Sequence, residues 1–123
     1  MKHTLKATLL AAILGLTSTT VFAQRSLPAD IYKPNNAKLV KAEYQGRGEY
    51  EVKYYLQGDD VRPLAKRVIE HAQSRGFRIV ESEIRRDDTD LKFRRGNREL
   101  DVSIELKSRG RIEYKADLDF DRD

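Results

Sequence analysis

From Lys38 onward the chain alternates apolar and polar residues with period two, interrupted once by a stretch with the spacing of a helix. Val40, Ala42 and Tyr44 form one alternating set, and Tyr50, Val52, Tyr54 and Leu56 a second. They predict a hairpin that pairs Tyr44 with Tyr50 and leaves Gly46-Arg47-Gly48 as the loop. Val61, Leu64, Ala65, Val68, Ile69 and Ala72 then lie on one stripe of a helix. Asp59-Asp60 precede that helix as candidate caps, Pro63 sits in its first turn, and Gly76 stops it at the C′ position. The expected helix runs from Val61 to Arg75.

Four more alternating segments follow: 77–86, 90–95, 98–107 and 111–120. Their expected core residues are Val80, Ile84, Leu91, Phe93, Leu100, Val102, Ile104, Leu106, Ile112, Tyr114, Ala116 and Leu118. The Phe77/Ile79 phase conflicts with Val80/Ile84, which predicts a bulge between them. Charges test the register, because residues facing one another across an antiparallel pair share a face. Pairing Ile84 with Leu91 sets Glu83 against Lys92, Glu81 against Arg94 and Arg85 against Asp90, with Asp87-Asp88 as the turn. Pairing Phe93 with Leu100 sets Arg94 against Glu99 and Lys92 against Asp101 around a Gly96-Asn97 turn. The last hairpin, Leu106 with Ile112, instead sets Glu105 against Glu113, Asp101 against Asp117 and Glu99 against Asp119. Those like-charge pairs leave its acidic end unexplained.

The predicted fold class is α+β: an N-terminal β-hairpin, one amphipathic helix, then a four-stranded antiparallel meander with the helix packed on one sheet face. The place of the first hairpin stays open, beside the third strand or beside the last.

The segment before the hairpin changes the meaning of the composition. Residues 1–6 are basic, Ala7 to Leu16 is apolar except for Thr8, and Val21-Phe22-Ala23 fits cleavage after Ala23. The expected organisation is a cleaved signal peptide (1–23), a flexible leader (24–36) and one domain (37–123). The apolar run falls short of the roughly 20 residues a membrane span needs, so no integral membrane segment is expected after cleavage. The expected location is the periplasm, with secretion as the alternative. The 123 residues include 24 Lys+Arg, 20 Asp+Glu and no cysteine. Without Lys2 and Lys6 the balance is 22 against 20, so the charge falls from +4 to +2. The absence of cysteine excludes disulfides and Cys-ligated metals, and a charge of +2 argues against nucleic acid as a partner.

Ala65 and Ala72 in the helix, Gly76, Val80-Glu81-Ser82-Glu83, Leu100-Asp101-Val102-Ser103-Ile104 and Gly110-Arg111-Ile112 together resemble the PepSY family, from about Val61 to Leu118. The family often carries Asp-x-x-Thr-Gly at its last hairpin; here Leu106-Lys107-Ser108-Arg109-Gly110 lacks both the Asp and the Thr. The resemblance implies an extracytoplasmic, non-enzymatic binding or inhibitory module that docks on another envelope or secreted protein.

Candidate chemistry is sparse. His71, the one histidine after residue 23, has no partners at metal or acid/base spacing, and no cofactor is expected. Ser74, Ser82, Ser103 and Ser108 lack a nucleophile elbow. Asp117, Asp119, Asp121 and Asp123 follow strand spacing without the glycine and terminal glutamate of a calcium loop. Candidate partner-binding residues are Glu99, Asp101, Asp117, Asp119 and Tyr55. Arg62, Lys66, Arg67 and Arg75 on the helix make an alternative, polyanion-binding surface. A small hydrolase or weak metal-binding protein is the second alternative. The oligomeric state is not legible.

Overall fold

A computed structural model describes residues 27–108 and 110–120; the expected signal peptide, Asp121 and Asp123 lie outside them. Six strands form one antiparallel sheet: β1 (Lys38–Gly46), β2 (Glu49–Gln57), β3 (Arg78–Ile84), β4 (Asp88–Arg95), β5 (Arg98–Leu106) and β6 (Arg111–Phe120). The order across the sheet is β1-β2-β6-β5-β4-β3. Among the described residues one 13-residue helix, α1 (Arg62–Ser74), connects β2 to β3.

This corrects the expected α+β class, an N-terminal hairpin and a four-stranded meander with the helix packed on one sheet face: the chain is mostly one six-stranded sheet with a short helix. The hairpin continues the sheet, because β6 is buried at every second residue and offers a full apolar row to both neighbours. Val52 meets Ala116 and Tyr54 meets Tyr114 on its β2 side, and the two tyrosine rings stack at 5.9 Å. Size explains the second half of the correction. Six strands span ~24 Å in the hydrogen-bonding direction, whereas 13 helical residues make a rod ~20 Å long and ~10 Å thick. The helix lies nearest β3 and β4. It contributes Leu64, Ala65, Val68 and Ala72 to the core.

Other cover comes from residues 27–37. Read from the sequence as flexible leader up to residue 36, this strap buries Leu27 and Ile31 and packs Tyr32 and Ala37 against the same core. Ile31 is 1% exposed. The His71 ring (Nε2) lies 2.8 Å from the Ala29 carbonyl, and the Tyr114 hydroxyl donates to the Tyr32 carbonyl at 2.9 Å. His71 is therefore a strap contact.

The helix ends are set locally. The Asp60 carboxylate accepts the Arg62 N–H at 3.0 Å. Gly76 at φ +90° lets its own N–H reach the Gln73 carbonyl and the Phe77 N–H reach that of Ala72, a Schellman close.

Register follows expectation in three of the hairpin pairings and departs in the fourth. Tyr44 faces Tyr50, Phe93 faces Leu100 and Leu106 faces Ile112. In β3–β4, however, Ile84 faces Thr89, and Glu81 faces Lys92. The turn moves to Arg86-Asp87, because both of its carbonyls are used: Arg86 accepts the Val61 N–H and Asp87 that of Leu106. The expected bulge is present between Ile79 and Glu81. Val80 and Ile84 are consequently not core; they are 44% and 41% exposed. Val40 is likewise turned out, at an irregularity between Leu39 and Lys41.

Candidate functional site

The outward sheet face is built of transverse rows that run across all six strands. Glu43, Glu51, Asp117, Asp101, Lys92 and Glu81 face one another in sequence from β1 to β3. Two residues along, the next row reads Lys41, Lys53, Lys115, Ser103, Asp90 and Glu83. Like charges thus stand side by side within rows, and many attractions run diagonally between them. Lys41 Nζ reaches Glu51 at 3.2 Å and Lys53 Nζ reaches Glu113 at 3.5 Å.

Four of the expected partner-binding residues meet at the centre of this face. Asp101 faces Asp117, and Glu99 faces Asp119, on adjacent strands. Glu99 is also held by Arg94 at 3.3 Å and Lys92 at 3.9 Å. Burial, with the hydrogen bond and charge of Glu99, pushes the Asp101 carboxyl up to about 6. Burial and the facing Glu51 raise Asp117 as well. Asp101 Oδ1 is buried without a hydrogen-bond partner. Ser103 is the short side chain in its row. Beside it opens a hollow of about 220 Å³ walled by Glu81, Asp90, Lys92, Asp101 and Asp117. A second hollow of about 410 Å³ continues to the sheet edge between Glu81, Ser82, Glu83 and Asp90. Tyr55 does not join the four acids. It lies on the far side of the lysine row, ~14 Å along the strand from Glu51, with the Arg111 guanidinium 4.7 Å above its ring.

The basic helix residues do not act as one surface. Arg62 is taken by Asp60, Nη2 to Oδ2 at 2.8 Å. Arg75 turns to Asp30 at 3.2 Å. Lys66 and Arg67 remain exposed, and Arg67 borders a groove of about 490 Å³ between the strap and the helix start, with Tyr32, Asn35 and Gln57.

The residue that sequence reasoning missed is Asp30. Its carboxylate receives Arg95 in a two-bond fork at 3.0 and 2.9 Å, Arg75 at 3.2 Å and Arg98 at 3.4 Å. Burial opposes its ionisation, and the bonds and charges of Arg95 and Arg75 outweigh that and hold its pKa low. A signal was present: Leu27 and Ile31 are four apart with Asp30 between them, in a stretch otherwise read as polar.

Among the described residues no group of three or more His, Asp or Glu could hold a metal ion. None of the described helices is long and apolar enough to cross a membrane. No family model matches the chain, and no similar curated protein or solved structure is found.

Proposed function

We propose that the chain is a small exported, non-enzymatic binding module of PepSY type that docks on another envelope or secreted protein. Its docking edge is β3, and the occupant is an extended basic segment. One observation carries this reading. β3 ends the sheet with a neighbour on one side only, exposes Val80 and Ile84, and borders the acidic hollow through Glu81 and Glu83. Strand addition supplies affinity through backbone hydrogen bonds and selectivity through alternate side chains. The bulge spoils the pairing edge at Val80, so the regular stretch is Glu81 to Ile84.

A second copy of the chain is a poor occupant. Antiparallel pairing of β3 with itself that sets Val80 against Ile84 also sets Glu81 against Glu83 twice, and facing like charges are destabilising. An incoming strand with Lys or Arg at alternate positions meets Glu81 and Glu83 favourably and lays its apolar residues beside Ile84. The polyanion alternative has less support, since Arg62 and Arg75 already serve Asp60 and Asp30.

The test uses a synthetic peptide of alternating lysine and valine, with an alternating glutamate–valine peptide as control, titrated by calorimetry. The lysine peptide binds and the glutamate peptide does not. Glu83→Lys weakens binding about tenfold, ~1.4 kcal/mol, while the fold gains from removing the Glu83–Asp90 facing pair. Equal binding of both peptides, or unchanged binding by Glu83→Lys, refutes the proposal.

A further inference from the structure

Three guanidinium groups from separate parts of the fold converge on one point. Arg75 comes from the end of α1, Arg95 from the end of β4 and Arg98 from the start of β5. Each is pinned by something other than the Asp30 carboxylate or by a rigid element. Arg95 lies 4.4 Å over the Phe77 ring and donates to the Arg75 carbonyl at 2.7 Å. Arg98 lies 4.6 Å over the Phe120 ring. Arg75 is the C-cap residue of α1. Cation–π stacking and a backbone acceptor fix the guanidinium planes of Arg95 and Arg98 independently of the strap, and the helix end places Arg75 beside them.

The occupant of the seat is mismatched to it in charge. Among the described residues, the only ion pairs of Arg75, Arg95 and Arg98 are with Asp30. One carboxylate balances one of three positive charges, while its two oxygens accept four N–H donors, their full lone-pair complement. A phosphate group at neutral pH brings close to two charges and three acceptor oxygens. Arginine forks match that geometry in two-bond fashion. The seat is also open to solvent on one side: the Arg75 and Arg95 side chains are 45% and 36% exposed, against 9% for Asp30.

We propose that Arg75, Arg95 and Arg98 form a binding site for a phosphate group, and that Asp30 on the strap is a tethered acid that fills the site when no phosphate is bound. Phosphate then competes with an intramolecular carboxylate whose effective concentration is in the millimolar range. Ligand binding lifts Asp30 out of the seat, and Leu27 and Ile31 lose the ionic contact between them. This site is distinct from the β3 edge and from the acidic hollow. It uses one residue, Arg75, of the helix set.

The test measures inorganic phosphate binding by calorimetry at matched ionic strength, with chloride as the control anion. Asp30→Ala binds phosphate at least tenfold more tightly than the parent protein, because the tethered competitor is gone. Adding Arg95→Ala to that variant abolishes the gain. In the parent protein, phosphate shifts the backbone amide resonances of Ala29 to Ile31 and chloride does not. If Asp30→Ala does not fold, Asp30→Asn is measured in its place, since it keeps the side-chain volume and removes the charge. Vesicles of phosphatidic acid against vesicles of phosphatidylcholine separate a lipid headgroup from a soluble phosphate as the source. Absence of phosphate binding in the folded Asp30 variant, or binding that survives Arg95→Ala, overturns the proposal.

Discussion

Asp101 sits in a position where a carboxylate costs stability, and the cost can be removed with a single atom change. It faces Asp117, neighbours Glu99 and has one buried oxygen without a partner. Its pKa is raised from 3.8 to about 6, by burial first and Glu99 second. The folded protein therefore binds the Asp101 proton more tightly than the unfolded chain does. Stability from this group is fully present below about pH 3.8 and is lost as pH rises through about 6. Two pKa units correspond to ~3 kcal/mol as an upper bound. The side chain remains partly in water, so screening reduces this to ~1–2 kcal/mol. Asp101→Asn keeps the shape, removes the charge and can donate an amide N–H to Glu99. It should stabilise the protein by ~1–2 kcal/mol at pH 7.5 and leave it unchanged near pH 4. Urea midpoints at the two pH values, at low salt, measure this directly. Equal effects at both pH values, or destabilisation at pH 7.5, would show that burial and Glu99 do not make the Asp101 charge costly.

Three further outcomes are expected. Asp30→Ala should cost ~2–3 kcal/mol at neutral pH, as a carboxylate serving three arginines is lost. Asp30 has a lowered folded pKa, so its stabilisation is present above about pH 3.8 and the gap to the parent protein should close as pH falls below that value in acid titrations followed by circular dichroism. Thr89→Val should raise the urea midpoint by the equivalent of ~1 kcal/mol, since Thr89 is 1% exposed and its hydroxyl has no partner; a lower midpoint would reveal an unseen acceptor. Tyr114→Phe should cost ~1 kcal/mol through loss of the bond to the Tyr32 carbonyl, and should increase amide exchange in the strap; unchanged strap exchange would argue against that latch.

Period-two alternation made all six strands legible, and the Gly76 stop made the helix end legible, because both depend on nearest neighbours along the chain. Register was legible where shape and turn agreed: Gly96-Asn97 allows one pairing, and Phe93 meets Leu100. It failed in β3–β4 because Ile84 was expected in the core opposite Leu91, with the facing charges in agreement, whereas Ile84 is exposed and faces Thr89. Exposed pairs are worth only ~0.2–1 kcal/mol each, less than the hydrogen bonds that Arg86 and Asp87 make with Val61 and Leu106. The acids of β5 and β6 were found as a group, since their facing follows from the Leu106–Ile112 pairing. Asp30 was not, because its partners lie 45 to 68 residues away and no local pattern encodes such a contact. The place of the first hairpin stayed open between two edges for the same reason: β2 and β6 are far apart in sequence, and only their matched apolar rows join them.

The rows of like charge also bear on how the chain finds its sheet. Sliding β6 along β2 by two residues keeps apolar residues opposite apolar residues, because alternation survives an even slip. It also sets Lys53 against Glu113 and Glu51 against Lys115, in place of the native Lys53–Lys115 and Glu51–Asp117 pairs. The slip thus exchanges two like-charge facings for two opposite ones, sets Glu49 against Asp117, and competes with a native register that already draws Lys53 to Glu113 diagonally at 3.5 Å. The native arrangement is chosen by fit, through the stacked Tyr54 and Tyr114 rings and the small Ala116 beneath Val52. Charge and fit therefore do not point to the same register with equal strength, and fit carries the choice. Salt screens the attractions of the slipped register and the repulsions of the native rows together, so rising ionic strength favours the native register over the slipped one.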